Sequence, residues 1–273
     1  MGGDHRAIGV FDSGIGGLTA MRELAALLPH EDIVYFGDTG RVPYGTRSRE
    51  TIVRYARQDA RFLCGFDLKM LLIACGTASF AALDTLQREL PIPVYGVIES
   101  AARRAAEVSR NGRIAVLATP ATIAGHVYGD RLRVLRPDVT VLEKACPLFV
   151  PIVEDGRFAP DEPIVQILTE EYLAPARDAG ADTIILGCTH YPLLADAISR
   201  CVPGATLINS GAAAAQDVAQ TLREQGLTAD ETHVGTRRYF VSDSVDAFTR
   251  RAQTFLQHEL DGPVGWVDIE KYE

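Results

Sequence analysis

The chain has 273 residues, and its 27 Lys and Arg against 36 Asp and Glu give a formal net charge of -9. A hydrophobic share of 47% beside 23% charged residues suits a soluble globular protein with a substantial core, in one large or two modest domains. The acidic balance argues against a nucleic-acid footprint, no run approaches the roughly 20 apolar residues of a membrane span, and five cysteines without CxxC spacing make no disulfide framework.

In chain order, Ala7–Phe11 reads as a buried strand ending in the small-residue turn Asp12-Ser-Gly-Ile-Gly-Gly17, and Leu18–Leu28 as a helix stopped by Pro29. Asp32–Phe36 is a second strand and Gly37–Gly45 a loop. A helix over Ser48–Leu63 follows, with Ser48 as its N-cap and Glu50 in its first turn. The apolar run Lys69-Met-Leu-Leu-Ile-Ala leads into Cys75, then a helix to about Leu90 and a short strand Val94–Ile98. A second series repeats the scheme: Arg113–Leu117 leads into Thr119-Pro-Ala-Thr122, an apolar strand covers Val139–Leu142, and Asp182-Thr-Ile-Ile-Leu-Gly leads into Cys188. The tail from Gln216 to Leu260 reads as mostly helical, broken by a strand at Arg238–Val241. Strands separated by helices imply parallel sheet. Corresponding strands lie roughly a hundred residues apart, too far for a solenoid repeat, so two similar α/β halves are expected. Ligands of such sheets gather beyond the carboxyl ends of the strands, where Asp12, Cys75, Thr119 and Cys188 all fall. The start of the chain carries no apolar stretch of signal-peptide length, and a reduced cytoplasmic thiol protein is expected.

The bland reading of a buried cysteine is a small hydrophobe, and it suits Cys64, Cys146 and Cys201. Cys75 and Cys188 differ because each ends a strand where a helix is expected to begin, beside residues that donate hydrogen bonds. Two thiols presented by two similar halves suggest acid/base work on opposite faces of one carbon. Zinc on Cys75, Cys188 and His190 is disfavoured, since structural zinc spacings are absent. The Asp12–Gly17 turn lacks the register of a phosphate loop, although its amides suit an anion such as a carboxylate. With only Lys69, Lys144 and Lys271 present, two at element edges and one near the end, a Schiff-base cofactor is not expected.

Five motifs in order resemble the aspartate/glutamate racemase family: Ile8–Leu18, Tyr35–Gly45, Ala74–Ser79, Thr119–Ile123 and Leu186–Leu194. The resemblance spans about Ile8 to Leu256. It implies two pseudo-symmetric α/β domains with the active site between them, residues 1–98 with 211–273 forming one and 99–210 the other. It also implies cofactor-independent interconversion of L- and D-glutamate, the D form serving peptidoglycan synthesis, in a homodimer with no metal. Carried onto this chain, Cys75 and Cys188 match the catalytic thiols, with Asp12, Glu154 and His190 supporting them. Asp12, Ser13, Tyr44, Gly45, Gly76, Thr77, Thr119, Thr122, Thr189 and His190 match substrate-binding positions. One departure stands out: the family usually places Asn directly after the first thiol, and here it is Gly76. Gly76 keeps only its backbone N–H for the substrate's polar head, which leaves aspartate or another amino acid as the alternative substrate and a small-molecule binder as the non-enzymatic one.

A free thiol near pKa ~8.5 is only about 3% thiolate at pH 7, so the site must tune its bases. Helix N-termini and an imidazolium favour the thiolate, whereas a nearby carboxylate favours the thiol. By the resemblance, Cys75 acts on D-glutamate with Asp12 behind it, and Cys188 on L-glutamate with His190. Hydrogen bonds to the α-carboxylate from the amides near Gly76 and Thr77 and the hydroxyls of Thr119 and Thr122 would strengthen as charge builds. The distal carboxylate is placed near Ser13 and Tyr44-Gly45.

Overall fold

The computed structural model describes residues 3–273. Ten strands alternate with helices: β1 (Ala7–Asp12), β2 (Ile33–Gly37), β3 (Leu68–Ile73), β4 (Val94–Gly96), β5 (Arg113–Ala118), β6 (Thr140–Ala145), β7 (Thr183–Leu186), β8 (Thr206–Asn209), β9 (Arg237–Val241) and β10 (Val264–Trp266). The helices are α1 (Leu18–Leu27), α2 (Arg49–Leu63), α3 (Gly76–Glu89), α4 (Val97–Val108), α5 (Pro120–Ala124), α6 (Val127–Leu135), α7 (Phe149–Glu154), α8 (Pro163–Asp178), α9 (Ala195–Cys201), α10 (Ser210–Glu224) and α11 (Val245–Leu256).

The strands form two all-parallel sheets, one ordered β10-β9-β2-β1-β3-β4 and the other β6-β5-β7-β8. Parallel sheets are stable only when helices cover both faces. Accordingly β1, β2, β3 and β7 are buried at every residue, which is why they read as largely apolar runs. Each sheet with its helices makes a lobe. The chain passes from the first sheet to the second between β4 and β5 and returns between β8 and β9. The largest apolar cluster crosses between lobes, running from Ile8, Leu18 and Tyr239 to Leu117, Phe149 and Tyr191.

Register places the site. Phe11 pairs with Ile73 at the end of β1 and β3, and Leu117 with Leu186 at the end of β5 and β7. Two residues beyond Ile73 and Leu186 stand Cys75 and Cys188, at the carboxyl ends of the two sheets. Among the described residues no helix is long and apolar enough to cross a membrane.

Two local expectations are corrected. Val97 and Ile98 belong to α4, because β4 ends at Gly96 and the β-branched pair packs as the helix's first buried turn. Cys188 is followed by a short 3-10 turn over Tyr191–Leu194, so no helix N-terminus stands behind the second thiol. The described tail also contains β10, which is absent from the sequence reading.

Candidate functional site

Cys75 is the N-cap of α3. Its backbone is still extended, and the Ala78 N–H donates to its sulfur at 3.4 Å. The thiol in turn donates to Ser13 Oγ at 3.4 Å. A helix N-terminus favours a thiolate, yet burial and the neighbouring Asp12 carboxylate push the Cys75 thiol up to about 12, outweighing the Ser13 and Ala78 bonds. Cys75 is therefore held as the protonated thiol. Asp12 is fully buried at the end of β1 and accepts the Gly14 N–H at 3.0 Å, while its Oδ1 has no partner. Burial raises its carboxyl, and the charge of His190 and the amides of Gly17 and Gly14 oppose that rise.

The second thiol has a different setting. Cys188 Sγ lies 3.8 Å from His190 Nδ1, and His190 Nε2 lies 3.0 Å from Glu154 Oε1 on α7. Each ring nitrogen thus has a partner, and donation to both at once requires the cation. Burial disfavours that cation, but the hydrogen bonds and negative charge of Cys188 and Glu154 outweigh burial and raise His190 to about 10. The bond to His190 holds the Glu154 carboxyl below its ordinary range, with burial opposing and Arg251 adding to the pull. Phe255 of α11 meets the His190 ring edge-on, centroids 5.3 Å apart.

Both thiols border one cavity of about 440 Å³ between the lobes, together with Ser13, Tyr44, Gly45, Gly76, Thr77, Thr119, Glu154, Thr189 and His190. Two expected residues stand behind its wall. Asp12 lies under the Ser13–Gly14 turn, and Thr122, 1% exposed, closes a ring of hydroxyls with Thr77 and Thr119. Thr77 Oγ1 is 3.0 Å from Thr119 Oγ1, and Thr119 Oγ1 is 3.1 Å from Thr122 Oγ1. Since Thr77 lies in the first turn of α3 and the other two lie at the start of α5, these hydroxyls join the lobes. Thr19 adds a second link, its hydroxyl donating to the Thr189 carbonyl at 2.9 Å.

The Tyr44 hydroxyl is not free for a ligand. Its one proton goes to Asp38, and an Asp59 oxygen lies 3.0 Å from the same hydroxyl, so Tyr44 borders the cavity with its remaining atoms. Both carboxylates are fully buried and share Arg41, through bonds of 2.6 Å to Asp38 and 2.9 Å to Asp59. Gln58 takes a further guanidinium N–H at 2.5 Å, and Tyr55 stacks beneath Arg41 at 4.1 Å. Burial and the nearby Asp38 push Asp59 upward, against the pull of Arg41. This ionic knot fixes the loop that carries Tyr44 and Gly45.

The cavity wall also contains Cys146, which the sequence reading took for a small hydrophobe, and Val150 and Val42, to which it gave no role. Cys146 follows β6 as Cys75 and Cys188 follow their strands, and burial pushes its thiol up. Its N–H bonds the Ala118 carbonyl and its own carbonyl takes the Tyr191 hydroxyl at 2.9 Å. Of the lysines, Lys69 lies at the opposite end of β3, paired with Glu31 at 2.5 Å and bonded to the carbonyls of Asp4 and Leu227. Among the described residues no three His, Cys, Asp or Glu side chains group as metal ligands. The arrangement can hold one thiol protonated and pair the other with a cation, across a cavity lined with hydroxyl and amide donors.

Residues 8–218 match the family described as Asp/Glu/hydantoin racemase. The chain is 46% identical over 266 residues to a glutamate racemase from Geobacter metallireducens, covering 97% of each chain. Among solved structures, a glutamate racemase from Francisella tularensis in complex with D-glutamate is similar with TM-score 0.91 and 37% identity, covering 98% of this chain and 100% of that one. A glutamate racemase isoform from Bacillus anthracis has TM-score 0.90 and 37% identity, with 96% and 97% covered.

Proposed function

The chain belongs to the Asp/Glu/hydantoin racemase family, and from that premise we propose that it racemises glutamate with Cys75 and Cys188 as its two bases. The observation that carries this reading is the pair of thiols offered by different lobes to one cavity, each with its own partners. For the step from L-glutamate, Cys188 must enter as the thiolate beside His190, while Cys75 enters as the thiol. L-glutamate loses its α-proton to Cys188: the C–H bond breaks, an S–H bond forms, and the electron pair stays on the carbon. Cys75 then delivers its proton from the opposite face, leaving D-glutamate, a Cys75 thiolate and a Cys188 thiol. The reverse reaction starts from that state.

An α-proton is weakly acidic, so the developing charge needs donors already in place. We assign the α-carboxylate to the hydroxyls of Thr77 and Thr119 and the amides at the start of α3. The distal carboxylate is assigned to Ser13, the Gly45 amide and Thr189. Asp12 and Glu154 act through Cys75 and His190. Residues 1–98 with 211–273 and residues 99–210 are the two domains in this reading, and the enzyme works as a cytoplasmic homodimer that supplies D-glutamate for peptidoglycan.

Polarimetry with L- and D-glutamate and both aspartates, run alongside α-deuterium uptake from D2O, tests the proposal. Wild type should invert glutamate with exchange, and Cys75→Ser and Cys188→Ser should each lose at least about 100-fold, the lower range for a missing acid or base. Full activity in either variant would refute the two-thiol scheme. Faster inversion of aspartate would move the substrate assignment.

A further inference from the structure

Three glycines of the first lobe meet the second lobe where a side chain would otherwise stand. A β-carbon on Gly16 would lie 2.3 Å from Thr189 Oγ1 and 2.6 Å from His190 Nδ1, and one on Gly45 would lie 3.2 Å from Thr119 Cβ. These neighbours are side-chain atoms. At Gly76 the obstacle is backbone: a β-carbon would come 2.5 Å from the Gly187 carbonyl oxygen, closer than real β-carbons approach. Gly187 cannot retreat. Its N–H bonds the Leu117 carbonyl at 2.8 Å, and a β-carbon of its own would already lie 2.9 Å from that oxygen and 3.1 Å from Ala118 and Tyr128. The peptide is held against β5 and against the Tyr128 ring.

The two residues adjoin the two thiols, Gly76 following Cys75 and Gly187 preceding Cys188. In this chain a group added at residue 76 therefore presses on the peptide that leads into Cys188. We infer that Gly76 is a positioning residue that sets the closest approach of the lobes, and with it the span over which one substrate carbon can be reached from both sides. The inference rests on the two-thiol reading above. It assigns to the bare α-carbon of Gly76 a role beyond its amide: a methyl there leaves each thiol and its partners intact and spoils only their joint reach.

Gly76→Ala is the direct test, because residue 76 is the first residue of α3 and its φ lies outside the left-handed region, so alanine is compatible with the backbone. The readout is the ratio of α-deuterium uptake with retention to uptake with inversion. Retention arises when the thiol that took the proton exchanges it with solvent and returns a deuteron to the same face. We expect this ratio to rise at least about fivefold and kcat to fall about tenfold or more, consistent with the rate cost of misplacement on the ångström scale. Gly76→Asn should do the same or more. The ratio is counted per active molecule, so partial unfolding does not move it. An unchanged ratio in both variants overturns the inference whatever happens to kcat, whereas a wild type that neither exchanges nor inverts glutamate would instead overturn the two-thiol reading.

Discussion

Replacing Glu154 by Gln removes one negative charge from the His190 side of the cavity while keeping an oxygen that can accept the Nε2–H bond, now 3.0 Å long. The remaining bond still has a charged donor, so what is lost is the attraction between unit charges. At about 4 Å that attraction is about 1 kcal/mol in water and up to about 4 near a protein surface, and the imidazolium loses roughly 1–2 kcal/mol. The Glu154 side chain is 33% exposed, which screens part of its charge and favours the lower end. At 1.36 kcal/mol per unit, about 1.4 kcal/mol lowers His190 from about 10 by about one unit. If the imidazolium stabilises the attacking thiolate, the same loss reaches the transition state and costs about tenfold in kcat/KM. The enantiomers of glutamate have equal free energies, so kcat/KM must fall equally in both directions, and any asymmetry must appear as matched changes in kcat and KM. The assay is circular dichroism of L→D and D→L turnover from pH 6 to 11. The alkaline limb of kcat/KM reports ionisations of the free enzyme and should move toward lower pH by about one unit. A Glu154→Gln enzyme with unchanged kcat/KM and an unmoved limb would refute the coupling of Glu154 to Cys188 through His190.

Two further predictions concern stability. Arg41→Met leaves Asp38 and Asp59 buried without their shared cation, so urea unfolding should show a loss of about 3–5 kcal/mol; a loss under 1 kcal/mol would show that the knot is held by other means. Alkaline pH should also weaken the fold. His190 is raised from 6.5 to about 10, so its contribution is complete below about 6.5 and is lost as pH climbs through 10, about 5 kcal/mol as an upper bound. Cys75, raised from 9.0 to about 12, keeps its proton longer folded than unfolded and adds to the loss above 9. Denaturant midpoints at pH 6, 8 and 10 should therefore fall steadily in wild type, and the decline between 7 and 9 should flatten in His190→Asn.

The parts of this fold that could be read from sequence are those written in contiguous residues. Buried parallel strands are apolar at most positions, so β1, β3, β5 and β7 declare themselves, and a cysteine two residues past such a run has only the sheet's carboxyl edge to occupy. Ser48 capping α2 through the Thr51 N–H is legible for the same reason. What was missed depends on partners far along the chain. β6 was read as ending at Leu142, whereas pairing with β5 carries it to Ala145; the longer strand would have placed Cys146 on the same edge as the other two thiols. Val97 and Ile98 have strand-forming side chains, but Gly96 ends the strand and they start the helix that crosses to the second lobe. The direction of the Tyr44 hydroxyl is decided by Asp59, fifteen residues away. Gly76 is the sharpest case: a sequence shows that a side chain is missing, and only the carbonyl of Gly187 shows what occupies its place.

The sheet order has a consequence for how the molecule is made. All four strands of the smaller sheet, β5 to β8, lie within residues 113–209 and can assemble while the rest of the chain is still on the ribosome. The larger sheet cannot, because β2 waits for β9 at residues 237–241. Until then β2 presents an open edge, the kind of surface that recruits strands from other chains. Nascent chains stopped short of Arg237 should depend on chaperones, and the synthesis of β9 decides whether the earliest strands stay soluble.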